Sequence, residues 1–164
     1  MIEPAPTPSV AASPNDAALE PLTAEQSFER VAAGDMPAGE SWDGVYFHPV
    51  LGHLHLVSRG QTVIGRWKRS DASRWGELTG IPNGNLLRFS WKEHVYGIVG
   101  PSESLSGTGV FVYASENRLD GKYAPNGAGV EAIVDWPCVK HRGLRPDLDA
   151  IGPEPRRAQQ NDWQ

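Results

Sequence analysis

Little in this chain supports covalent chemistry. Cys138 is the single cysteine, so no internal disulfide can form, which fits a reducing compartment or an exported protein that does without bridges. No apolar run approaches the ~20 residues that a membrane-spanning helix needs. The opening Met-Ile-Glu-Pro-Ala-Pro shows neither a basic leader nor an apolar stretch behind it. A cytoplasmic location is the default expectation, with an exported form whose signal has been removed as the alternative. A Gly-x-Ser-x-Gly elbow is missing, and Ser102 and Ser104 stand in a plain loop sequence. Cys138 and His141 are neighbours in an extended stretch and do not converge, while Glu93 and His94, adjacent in a strand, point to opposite faces. A non-enzyme is the first expectation and an enzyme the second, since fold does not decide function; no catalytic residue and no cofactor is assigned.

Glycine is plentiful, at 18 residues, and it recurs in a phrase. Between residues 42 and 123 an apolar residue, any residue and a glycine are followed by an aromatic or apolar residue five times. The copies are Trp42-Asp-Gly44-Val-Tyr46, Val63-Ile-Gly65-Arg-Trp67, Leu78-Thr-Gly80-Ile81, Leu105-Ser-Gly107-Thr-Gly-Val-Phe111 and Leu119-Asp-Gly121-Lys-Tyr123. A glycine in a strand marks a bend or a close backbone approach, and a side chain two residues on shares its face. The phrase is expected to act as a packing device, leaving room for a ring from the neighbouring strand.

Proline and charge divide the chain. Residues 1–41 carry six prolines and seven acidic residues against Arg30 alone, whereas residues 42–140 balance ten Lys and Arg against nine Asp and Glu. The first segment buries too little apolar surface to offset its chain entropy and reads as a disordered acidic arm. A short helix over 23–33 is its one structured candidate, with Thr23 and Gln26 at capping-box spacing. Residues 141–164 read as a flexible C-terminal tail. The 99 residues between are enough for one stable domain.

In that domain the hydrophobic period is two. Strands are expected near 43–48, 53–58, 61–69, 74–80, 85–93, 107–114, 117–123 and 130–139, with Gly60-Gln61 and Asn83-Gly84 as hairpin centres. Alternation turns Trp67, Phe89, Trp91, Phe111, Tyr113 and Trp136 inward, together with Val130, Ala132 and Val134. The fold class is all-β: an antiparallel up-and-down meander of about eight strands, closed into a small barrel so that no edge is left open. A two-sheet sandwich is the alternative.

Gly39-Glu-Ser-Trp42 at the first strand, a hairpin, and then Val63-Ile-Gly65-Arg-Trp67 resemble the opening of avidin-like and lipocalin-like (calycin) barrels. The resemblance covers the architecture of residues 39–140. The spacing after the first glycine is one residue longer than the lipocalin form, and no set of residues matches the biotin-binding polar groups. What the resemblance implies is a calyx able to hold one small apolar ligand.

Three constellations bear on binding. His53 and His55 alternate with Leu54 and Leu56, share one face, and form a candidate metal pair with His48 near; the competing reading is that they are solvated surface histidines. Arg66-Trp67-Lys68-Arg69, Arg74-Trp75 and Arg88-Phe89-Ser90-Trp91-Lys92 interleave cations with rings, as single-strand-binding barrels do. Alternation parts those rings from those charges, which argues against nucleic acid, and the cations are instead expected to attract the acidic arm. The stretch His94–Ser106 holds Tyr96 and two glycines and is expected to form a lid, or else an extra strand and a turn.

The first functional expectation is a non-catalytic barrel that binds a small apolar ligand or a peptide segment, lined by Trp67, Phe89, Trp91, Phe111 and Trp136 and closed by Tyr96. The second is an interaction subunit of a larger assembly that meets protein partners through residues 1–41 or 141–164. An open interior of roughly 300 Å³ or more favours the first, and a packed interior with both arms extended over nothing favours the second.

Overall fold

A computed structural model describes residues 22–96, 104–115 and 117–152. Seven long strands follow one another as an antiparallel meander: β1 Gly44–His48, β2 Gly52–Arg59, β3 Thr62–Lys68, β4 Arg74–Asn83, β5 Leu86–Val95, β6 Ser104–Ser115 and β7 Arg118–Pro125. Two short pieces complete the ring, β8 Val134–Asp135 and β9 Cys138–Lys140. β8 and β9 pair with β7, and β9 also pairs with β1, which closes an eight-stranded barrel. The architecture is calycin-like. Closure leaves each long strand paired on both sides, the arrangement that removes edge-to-edge aggregation.

The eighth strand departs from its expected range. Residues 130–132 form a turn of 3-10 helix, and Val130 and Val134 are exposed where alternation places them inside. Pairing begins only at Val134 and breaks at Trp136-Pro137, because proline has no N–H to give the ladder. Lys122 faces Asp135 and Leu119 faces Cys138, so the register is the same on both sides of the break. β8 and β9 are one strand interrupted at a proline.

The β4–β5 hairpin turns one residue later than expected. Asn83 pairs with Leu86, leaving Gly84 and Asn85 at the centre, and only Gly84 has a positive φ, +60°. A glycine-first centre is the pattern of a type II′ turn. A Cβ at Gly84 would also collide with the carbonyl of Gly34, which accepts from Asn85 N–H at 3.0 Å. The turn holds the N-terminal segment as well as reversing the chain.

Glycines and rings interlock inside. Trp67 lies opposite Gly76, Phe89 opposite Gly80 and Gly109, Trp91 opposite Gly107, and Phe111 opposite Gly121. A Cβ at Gly76, Gly107, Gly109 or Gly121 would overlap the facing ring. Phe89 and Phe111 stack at 4.7 Å, and Trp136 stands edge-on to Trp67 at 5.0 Å and to Tyr123 at 5.5 Å. Such geometries are the favoured ones for aromatic pairs.

The helix α1, Ala24–Glu29, lies outside the barrel with a capping box between Thr23 and Gln26. Six residues are too few for a helix to persist unaided. Ala24 and Phe28 are buried against Leu86, Val110 and Ala124, outward residues of β5, β6 and β7. No described helix is long and apolar enough to cross a membrane.

Candidate functional site

The meander alternates direction, so both ends of the barrel are built from hairpin turns. At one end Leu51, Trp67, Trp91, Tyr123 and Trp136 surround a void of about 10 Å³, room for no more than one water. Glu93, only 4% exposed, accepts there from Trp67 Nε1 at 3.1 Å and from Arg69 Nε and Nη2 at 2.8 and 3.0 Å. The fork of the guanidinium matches the carboxylate, which makes a buried charge tolerable. His48 secures the Leu51 plug, its Nδ1 accepting from the N–H groups of Val50 and Leu51, both at 3.1 Å.

The other end is sealed by a second polar cluster. Tyr113 donates to Glu40 Oε1 at 2.6 Å, and Arg142 Nη2 reaches both oxygens of Glu40 at 2.7 Å. Lys140 Nζ lies over the rings of Tyr46 and Tyr113 at 5.6 and 5.4 Å. These hydrogen bonds hold Glu40 below the usual carboxylate range, Tyr113 first and Arg142 next. Burial, chiefly, raises the phenol of Tyr113 and lowers the ammonium of Lys140. Glu40 and Arg142 come from segments on either side of the barrel strands, so the cluster ties the two chain ends together.

The expected lining is thus placed as core. Trp67, Phe89, Trp91, Phe111 and Trp136 all point inward and pack together in one buried cluster. Tyr96 is half-buried outside them, with Lys68 Nζ 5.9 Å over its ring and its phenol raised chiefly by burial. β5 runs to Val95 and β6 starts at Ser104, and residues 97–103 of the expected lid lie outside the described residues.

The candidate metal pair does share a face, but its surroundings are cationic. His53 is paired across the sheet with Lys68, and His55 with Arg66. His55 Nδ1 already accepts from Asp147 N–H at 2.9 Å, and burial followed by the nearby His53 lowers its pKa from 6.5. Among the described residues no group of three His, Cys, Asp or Glu is placed to hold a metal ion. Cys138 is buried, its thiol pushed up by desolvation, and it donates to the carbonyl of Trp136 at 3.6 Å. A thiol so placed is not a nucleophile.

The expected attraction between outer cations and the acidic arm takes another form. Arg88 donates to the carbonyls of Phe28, Glu29 and Val31 at 3.2, 3.0 and 2.8 Å, meeting the negative end of α1. Arg66 does the same for the C-terminal segment, donating to Leu148 and Ile151 carbonyls at 3.2 and 2.9 Å around the 3-10 turn Leu148–Ala150. For Arg88 and Arg66 the partners are backbone carbonyls, and the arm carboxylate that does meet cations is Glu40, at Arg142 and Lys140. The parts of the arms numbered 1–21 and 153–164 lie outside the described residues.

What the sequence reading passed over is an outer row near the Glu93 end. Cross-strand registers align Val139 with Phe47, Phe47 with His53, His53 with Lys68, Lys68 with Trp75 and Trp75 with His94. Trp75 is covered, packing on His94 at 4.6 Å with Arg66 5.8 Å from its ring. Phe47 and Val139 are not, being 40% and 59% exposed, and Leu144 beside them is 44% exposed. An open groove of about 470 Å³ runs along the row, with Phe47, His53, His55, Lys68 and Leu144 among its walls. The signal was available: Tyr46 and Cys138 point inward, so Phe47 and Val139 must point out. Comparison with known proteins returns no match: no family model, no curated protein and no solved structure matches the chain.

Proposed function

We propose that this chain is a non-catalytic interaction module, a filled barrel that recognises a protein segment on its outer surface. One observation carries the reading. The void among the rings at the Glu93 end is about 10 Å³, while Phe47 and Leu144 stand exposed along one groove, with Val139 exposed beside Phe47. Rings packed together among the described residues weaken the case for a calyx, and an exposed apolar patch is a common mark of a protein contact. The Arg66 clasp holds the turn that supplies Ala150 and Ile151 to the groove wall, which limits the ordering cost of binding.

Selection of a random peptide library displayed on phage against the immobilised full-length chain tests this reading. Enrichment of a shared peptide pattern is the expected result, and a pool that stays random after repeated rounds contradicts it.

A second reading keeps the small apolar ligand and moves it outside. A groove of about 630 Å³ beside α1, walled by Phe28, Thr79, Ile81 and Thr108, favours it. Resonance shifts at Ile81 and Phe28 on adding an apolar probe, with none at Phe47 or Val139, would select it over the first.

A further inference from the structure

We infer that the groove along the outer row Val139–Phe47–His53–Lys68 takes an extended partner segment with a large apolar residue and, three positions on, a carboxylate. The inference rests on the interaction-module reading and names where the partner sits and what it must carry.

The charge of the groove sets the sign of the partner. None of the described residues lining it is acidic, while His53, His55, Lys68 and Arg69 all are basic or can become so. Arg69 is committed to Glu93, and His55 accepts from Asp147 N–H. Asp147, the acid closest to hand, turns its carboxylate to Asp149 N–H at 3.1 Å, capping its own turn. Lys68 is exposed, and among the described residues no carboxylate stands within ion-pair distance of it. Lys68, whose ammonium meets the ring of Tyr96, is therefore the cation of the groove with no described carboxylate partner.

The apolar anchor lies on the same row. Phe47 and Val139 are direct cross-strand partners on the outer face, and the His53 ring packs on Phe47 at 5.0 Å between them and Lys68. Phe47 and Leu144 both wall the groove, and Val139, exposed beside Phe47, extends the apolar surface that a leucine or phenylalanine side chain can cover.

Strand spacing sets the distance between the two requirements. Phe47 and Lys68 are two strands apart, about 10 Å at ~4.8 Å per strand, and an extended segment in the polyproline II conformation advances ~3.1 Å per residue with about three residues per turn, so that positions one and four share a face. Such a segment, lying across the strands, spans the gap in about three residues with both side chains turned to the groove. Its apolar side chain sits on Phe47 and Val139 and its Asp or Glu on Lys68. Such a segment would not need to add a strand, since the barrel is closed and its ladders are occupied.

The test uses the isotope-labelled full-length chain and three capped pentapeptides: Phe at position one with Glu at position four, the same with Lys at position four, and the same with Glu moved to position two. The first is expected to shift resonances of Phe47, His53, Lys68 and Val139 saturably, binding about fivefold more tightly than either control. Lys68→Glu should exchange the preference of the first two peptides, and Val139→Ser should weaken both equally with an unchanged spectrum elsewhere. Equal binding of all three peptides overturns the inference, as do shifts that map outside the row. Concentration-dependent shifts of the same residues without peptide also overturn it, because the occupant is then a second copy of the chain. If the phage selection yields binders that lack this pattern, the inference fails while the interaction-module reading stands; if it yields none, both fail.

Discussion

The two chain ends reach the same kind of contact by different means. On the N-terminal side α1 buries Ala24 and Phe28 against the outside of β5–β7 before Arg88 closes on its last carbonyls. On the C-terminal side the turn Leu148–Ala150 is held by Arg66, by the His55–Asp147 hydrogen bond and by the single buried apolar side chain Ile151. One arm is fixed by apolar area and finished by an arginine; the other depends on polar contacts. Apolar burial is indifferent to pH, whereas a histidine acceptor is not, so the two arms should respond differently to the same perturbations.

Phe28→Ala should part the arms most sharply. It removes a ring that is nearly fully buried and should cost about 3 kcal/mol of the docking of α1, while amide exchange over residues 147–151 stays unchanged. Equal loss of protection in both segments would show that they are coupled through the barrel. Arg88→Gln and Arg66→Gln form a matched pair. Each should cost about 1.5 kcal/mol by losing charge-assisted bonds to carbonyls, read as faster exchange in its own arm only. Because α1 keeps its apolar contacts, Arg66→Gln should release its segment more completely than Arg88→Gln does. Thr23→Ala removes the cap of α1 and should cost about 1 kcal/mol there, leaving the C-terminal segment untouched.

The smallest effect is the pH response of the C-terminal arm. The folded pKa of His55 lies below 6.5, held down first by burial and then by His53. The unfolded segment therefore binds the proton more readily, and the contribution of His55 is complete above its unfolded value and lost as pH falls through its folded one. A protonated Nδ1 can no longer accept from Asp147 N–H. Protection at Asp147–Ile151, taken relative to the intrinsic exchange rate at each pH, should fall as pH falls from about 7, with the protection of residues 24–31 serving as the control that does not respond. A response of both arms at the same pH would place the titrating group elsewhere.

The barrel was legible because one pattern repeats. Strand alternation placed Trp67, Phe89, Trp91 and Phe111 inward, and the glycine phrase anticipated that rings and glycines would face one another. Pattern failed at residues 130–134, where alternating apolar residues read as a strand and a 3-10 turn formed instead. The register of a strand cannot reveal that proline splits it or that its first residues turn away to meet α1, since Ile133 packs with the helix cluster. The hairpin centre moved by one residue because Gly84 must also admit the carbonyl of Gly34, a partner 50 residues distant in sequence. The same blindness to long-range contact hid the candidate site. Val139, Phe47, His53 and Lys68 become neighbours only through strand pairing, and no local spacing announces them.

The central claim is that the rings of the barrel are its core, so that recognition takes place outside. Of the six tryptophans, Trp67 and Trp91 donate their indole N–H to Glu93 and Thr108 at 3.1 and 3.0 Å, and Trp136 is buried among rings. The indole N–H resonances of the full-length chain, followed while the apolar dye 1-anilinonaphthalene-8-sulfonate is added, test that claim most directly. All three should keep their positions and exchange slowly with solvent at every dye concentration. Saturable movement of the Trp67, Trp91 and Trp136 signals together would mean that the barrel opens to a guest, and would contradict the account.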